Sequence, residues 1–128
     1  MHILIIGAAG MVGRKLTDAL VKTVELGGKP IERLTLSDII APTAPKFSGA
    51  VETIAADLSA PGMAATLAAR RPDVIFHLAA IVSGEAEADF EKGYRINLDG
   101  TRYLLEAIRL EGMKSPYKPR LVFTSSIA

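Results

Sequence analysis

The apolar run Ile3-Leu4-Ile5-Ile6 passes straight into Gly7-Ala8-Ala9-Gly10-Met11-Val12-Gly13, and from Met11 onward the pattern turns helical. A strand without a polar face has to be buried on both sides, as in the middle of a parallel sheet covered by helices. The three glycines then outline a tight strand-to-helix turn. Gly7 allows the chain to turn out of the strand, Gly10 removes the Cβ that would bar a pyrophosphate, and Gly13 lets the helix lie close to the sheet. A helix beginning there offers unpaired N–H groups and the positive end of its dipole, which suits an anion. A plain strand–helix turn can carry the same glycines, so the meaning of the loop depends on the rest of the chain.

Downstream of the loop, strand-like and helix-like segments alternate. Val12, Leu16, Leu20 and Val24 recur every four residues in a helix predicted from Met11 to about Leu26, with Gly27-Gly28-Lys29-Pro30 as its stop. Beyond His2–Ile6, strands are predicted at Arg33–Ser37, Val51–Ala56, Asp73–Leu78 and Arg120–Thr124. Ala41 to Ala50, with Pro42, Pro45 and Gly49, reads as a surface loop. Pro61–Arg71 is a short alanine-rich helix with proline in its first turn, and Glu85–Leu110 is a long helical stretch that Gly93 and Gly100 can interrupt. The pattern predicts an α/β fold, a Rossmann-type doubly wound parallel sheet of about five strands. Right-handed crossovers would bring the Gly loop, Asp38, Asp57, Ala79 and Ser125, all at strand ends, to one edge.

A length of 128 residues fits a single domain over 1–128, and 49% hydrophobic with 23% charged residues is a globular composition. The net charge of +1 gives no electrostatic reason to expect nucleic acid or an anionic membrane as partner. Without cysteine there is no disulfide and no thiolate zinc site, and with His2 and His77 as the only histidines no metal centre is expected. The start lacks the basic and apolar regions of a leader, and no apolar run approaches the ~18 residues of a membrane span, so a cytoplasmic location is expected.

Asp38 closes the second strand, where a carboxylate can accept hydrogen bonds from an adenosine ribose and would repel a 2′-phosphate; this favours NAD over NADP. Asp57 and Leu58 can flank an adenine, although an aspartate before Leu-Ser-Ala-Pro equally suits a loop or N-cap. His77, among Ile and Leu in a strand, is read as a core histidine. Arg70 and Arg71 are read as a solvated helix end, and Tyr94, Tyr103, Leu104, Leu105 and Ile108 as packing. Ser125-Ser126 can hold a substrate oxygen, or simply end the fifth strand.

In order along the chain, Gly7–Gly13, Ser37-Asp38, Ala56-Asp57-Leu58, His77-Leu78-Ala79-Ala80, Asn97-Leu98-Asp99-Gly100-Thr101 with Leu104-Leu105-Glu106-Ala107, and Phe123-Thr124-Ser125-Ser126 resemble the extended short-chain dehydrogenase/reductases, the NAD-dependent epimerase/dehydratase superfamily. The Gly loop and Ala80–Ala86 are similar to the D-erythronate dehydrogenase-like branch, which oxidises a small sugar acid with NAD. The resemblance implies that the Met11 and Val12 amides meet the pyrophosphate and Asp38 the ribose. It implies that Asp57 and Leu58 border the adenine and that Leu78, Ala79 and Ala80 line the cofactor groove. Asn97 would brace the strand ends, Ser125 would lie beside the nicotinamide, and Ser126 would be the catalytic, substrate-orienting serine. A homodimer through the helices of Glu85–Leu110 is implied as well.

One departure limits what the chain can do. The family's catalytic Tyr, with Lys four residues later, lies beyond the serine strand. Here Tyr94, Tyr103 and Tyr117 have Leu98, Ala107 and Leu121 four residues on. The expected function is therefore the NAD-binding part of an oxidoreductase acting on a hydroxyl of a small sugar acid, itself inactive and a piece of a longer chain. A nucleotide-sugar epimerase or dehydratase, or a non-catalytic NAD-binding module, are the alternatives.

Overall fold

β1 (His2–Ile6) takes the centre of a five-stranded parallel sheet, as an all-apolar strand requires. In the computed structural model, which describes residues 1–126, α1 (Met11–Thr23) comes next, then the short strands β2 (Glu25–Leu26) and β3 (Lys29–Pro30), β4 (Arg33–Asp38), β5 (Ala50–Ala55), α2 (Met63–Ala68) and β6 (Val74–His77). The chain continues through α3 (Ser83–Ala88), α4 (Phe90–Gly93), a π-helical segment (Tyr94–Asp99), α5 (Gly100–Lys114) and β7 (Arg120–Phe123). The sheet order is β5-β4-β1-β6-β7, with every neighbouring pair parallel. The chain winds outward from β1 in one direction and then in the other, so a crevice opens at the carboxyl ends of β1 and β6.

The pleat of β1 feeds two cores. Ile3 and Ile5 join Leu20, Leu34 and Leu36 under α1, while Leu4 and Ile6 join Leu67, Ile75, Leu104 and Ala107 under α2 and α5. The β4–β5 connection carries no helix, as expected, and its Phe47 packs against the α1-side core. No helix among the described residues is long and apolar enough to cross a membrane.

Several elements differ from expectation. The first helix stops at Thr23, not near Leu26, because Val24 adopts a left-handed conformation (φ 52°) with its N–H on the Leu20 carbonyl. Gly27-Gly28 is consequently not the helix stop. It is a two-residue hairpin turn with both φ positive, pairing Glu25 with Pro30 and Leu26 with Lys29. The second helix is shorter than Pro61–Arg71, and the long helical stretch breaks at Asp89 and loosens into the π-helical segment, while Gly93 packs against Ala86. Of the five residues read as packing, Leu104 is fully buried and Ile108 lies against the core, but Tyr94, Tyr103 and Leu105 are exposed.

Arg70 and Arg71 are not a solvated helix end. The Arg70 guanidinium grips both oxygens of Glu52 on β5 at 2.9 and 2.6 Å. Arg71 pairs with Glu111 on α5, donates to the Ser115 and Pro116 carbonyls, and lies 4.6 Å from the Tyr117 ring centroid. The planar fork of arginine suits this multiple docking, which ties α2 to the sheet edge and to α5.

Candidate functional site

The glycine loop is held by its neighbours as well as by its own conformation. Gly7 has φ +92°, and a Cβ there would lie 2.7 Å from the Ala79 nitrogen; its N–H donates to the Ser37 carbonyl at 2.8 Å. Gly7 therefore allows the turn and also lets the loop abut the segment after β6. A Cβ on Gly13 would lie 2.1 Å from the Gly7 carbonyl oxygen, so the first turn of α1 sits directly on the loop it leaves. Gly10 is exposed, with only the Gly7 oxygen near its missing Cβ, at 3.4 Å.

α1 begins with no side-chain cap and no acidic residue in its first turn, and Met11 and Val12 are exposed. Its leading amides thus present a positive helix end that no capping side chain occupies. Among the described residues this is the arrangement that fits a pyrophosphate, and glycine leaves room for it to approach.

Asp38, at the end of β4, closes the same side. Oδ2 accepts the Ala9 N–H at 2.9 Å and Oδ1 accepts the Ile39 N–H at 2.8 Å, so the carboxylate shapes the glycine loop before any ligand arrives. Each oxygen keeps a lone pair for a ribose hydroxyl. Beyond β5, Asp57 accepts from both the Ser59 N–H and the Ser59 hydroxyl through Oδ1, while Oδ2 faces Arg95 at 3.7 Å. Those hydrogen bonds, led by the Ser59 hydroxyl and helped by Arg95, hold the Asp57 carboxyl below the usual carboxylate range against the opposing effect of burial. Only Oδ2 is left for an adenine amine. Leu58 is buried in the α5-side core and lends the groove one edge.

These residues line a groove of about 490 Å³, a size typical of small-molecule sites, that runs past Gly7, Gly10, Asp38, Asp57 and Leu58 to Leu78, Ala79 and Ala80. Ile39, Ile40, Ile81 and Ile96 also line it and were missed from the sequence. Ile39-Ile40, an apolar pair just past a strand's end and exposed by 62% and 76%, was the available signal. Asn97 lies off the groove and acts on it: its amide donates to the Ile81 carbonyl at 3.0 Å and accepts the Ile81 N–H at 2.9 Å. His77 is a core histidine as expected, but it also reaches the groove floor. Ser125 and Ser126 lie just past β7, exposed, one strand further out than β6 and outside the described lining.

Comparison with known proteins agrees with this fold. A family model described as the NAD dependent epimerase/dehydratase family matches residues 3–128. D-erythronate dehydrogenase of Cupriavidus necator is 43% identical over 132 aligned positions, covering 100% of this chain and 39% of the relative. A crystal structure of a nucleoside-diphosphate-sugar epimerase from Agrobacterium tumefaciens is 72% identical with a TM-score of 0.97, covering 100% of this chain and 38% of that one. A uronate dehydrogenase variant from Agrobacterium tumefaciens, complexed with NAD, is 31% identical with a TM-score of 0.74, covering 98% and 40%. The chain thus spans about two fifths of the length of the relatives it matches.

Proposed function

The chain belongs to the NAD dependent epimerase/dehydratase family, and on that premise we propose that it forms the NAD-binding part of an oxidoreductase acting on a hydroxyl of a small sugar acid. One observation carries the reading. Gly7, the Asp38 carboxylate and Gly10, the residue that leads into the uncapped helix α1, line one groove at the switch point of the sheet.

The Met11 and Val12 amides would hold the pyrophosphate, Asp38 the adenosine ribose, and Asp57 with Leu58 the adenine. Leu78, Ala79 and Ala80 would form the opposite wall, held by Asn97 through Ile81. Bound NAD supplies the hydride-accepting nicotinamide. Ser125 would stand beside that ring and Ser126 would orient the reacting hydroxyl, in keeping with their place at the end of β7. No Tyr-x-x-x-Lys occurs in the sequence to move the hydroxyl proton, so this chain is expected to bind cofactor without turnover. Exposed Phe90, Tyr94 and Leu98 support a homodimer through the helices around the π-helical segment.

A second reading, a nucleotide-sugar epimerase, is favoured by the 72% identical structure described as one. The two readings share this cofactor part and differ in substrate.

Titration calorimetry of the chain with NAD and NADP tests the cofactor site. NAD binds more tightly than NADP, and Asp38→Ala weakens NAD by about tenfold or more through loss of charged hydrogen bonds to the ribose. Equal affinity of the Asp38→Ala variant for NAD removes Asp38 from the site. NADH formed from NAD and D-erythronate by this chain refutes the expected lack of turnover.

A further inference from the structure

Among the described residues, His77 Nδ1 is one of two buried side-chain polar atoms without a hydrogen-bond partner, the other being Ser37 Oγ. The His77 ring connects the core to the groove. His77 ends β6, is only 1% exposed, and has its ring 5.5 Å from that of Phe123. Its Nε2 lies 2.8 Å from Thr101 Oγ1, and the Thr101 hydroxyl is 3.3 Å from the Asn97 carbonyl oxygen, to which it donates.

A hydroxyl has one proton to give. Spent on the Asn97 carbonyl, it leaves Thr101 Oγ1 only lone pairs toward the imidazole, so Nε2 must carry the hydrogen and donate. Nδ1 is then a bare lone pair, which is where the unpartnered atom is found. An imidazolium would need a second acceptor at Nδ1, and burial accordingly pushes His77 below its ordinary value.

Asn97 is the point where this series of bonds meets the groove. It sits inside the π-helical segment, whose wider turn is completed by the Gly100 N–H on the Arg95 carbonyl, five residues back. From there its side chain takes both backbone groups of Ile81, a lining residue just past Ala79-Ala80. Single π turns inside α-helices often mark functional positions, and here the π turn carries the side chain that reaches the groove wall.

We propose that His77 and Thr101 are positioning residues of the cofactor groove: through the Asn97 carbonyl they fix the π-helical turn from which the Asn97 amide holds Ile81 in the groove wall. The inference rests on the reading of the groove as an NAD site. A role confined to stability would lower the melting temperature and leave Ile81 and cofactor affinity unmoved.

Isotope-labelled chain provides the first readout, independent of any substitution. A long-range proton–nitrogen spectrum shows His77 as the Nε2–H tautomer; the Nδ1–H form overturns the relay. Next, Thr101→Val and Thr101→Ser are compared by amide exchange at Ile81 and by calorimetry with NAD. With both hydrogen bonds of the Thr101 hydroxyl lost, Thr101→Val speeds Ile81 exchange and weakens NAD, each by about tenfold or more, and Thr101→Ser restores both. Unchanged Ile81 exchange and NAD affinity in Thr101→Val, or equal impairment by valine and serine, overturns the proposal. An unaltered chain that does not bind NAD overturns the functional reading instead, and Ile81 exchange then decides whether the relay exists. Should Thr101→Val not fold, the tautomer and the serine variant decide it.

Discussion

At the scale of single residues, the cradle depends on atoms that are missing. Gly13 is not merely tolerant of a tight turn; its Cα occupies the space that brings α1 onto the Gly7 carbonyl, where a Cβ would lie 2.1 Å from backbone oxygen. Backbone cannot rotate away as a side chain can. Gly13→Ala should therefore cost about 3 kcal/mol, at the upper end of overpacking penalties, and lower the urea midpoint markedly. Gly10→Ala should be far milder, since only the Gly7 oxygen at 3.4 Å stands near its Cβ. A Gly13→Ala midpoint equal to that of the unaltered chain contradicts the close packing. The spacing of Gly7, Gly10 and Gly13 makes this loop legible, and Asp38 is legible as a strand-ending carboxylate. Its grip on the Ala9 and Ile39 amides is not, because a side chain's choice between ligand and backbone is not written in residue type.

Single elements are legible in type and less so at their ends. The fourfold spacing of Val12, Leu16 and Leu20 identifies α1 but does not locate its stop. Gly27-Gly28 suggests a C-cap, whereas the left-handed cap is Val24, a β-branched residue poorly suited to that conformation. Asparagine enters the left-handed region more readily and, unlike glycine, adds little freedom to the unfolded chain. Val24→Asn should thus stabilise by about 0.5–1 kcal/mol, seen as a rise of a few degrees in melting temperature. No rise, with the helix content intact, would show that Val24 gains enough from its surroundings to offset its backbone. Arg70 and Arg71 repeat the pattern. Position at a helix end is readable, but docking onto Glu52 and Glu111 requires knowing that β5 and α5 flank α2.

For the whole molecule, alternation of apolar runs and helices is enough to give the layers, and the strand ends are enough to give the side on which the groove lies. Ile39, Ile40, Ile81 and Ile96 escape because a groove's lining depends on how several loops stand together. A property of the same scale is the response to acid. Burial lowers both His77 and, with help from Arg33, His2 from their ordinary value of 6.5. The unfolded chain therefore takes up protons that the folded one refuses as the pH drops below about 7. Their contribution to stability is full above the unfolded value, is lost toward the lowered folded values, and then levels off. Urea unfolding at pH 8 and pH 5.5 should show the lower stability at pH 5.5, with a smaller difference in His77→Gln; a flat profile would contradict it. The sheet order also has a consequence in time. β1 can pair with β4 after a few dozen residues, but its other neighbour, β6, is roughly 70 residues behind it, several seconds of synthesis at ribosomal speed. During that interval the most apolar strand of the chain has one open edge, and the groove, whose far wall lies beyond β6, does not yet exist. A ligand of the groove can therefore assist only the stage of folding that follows the docking of β6.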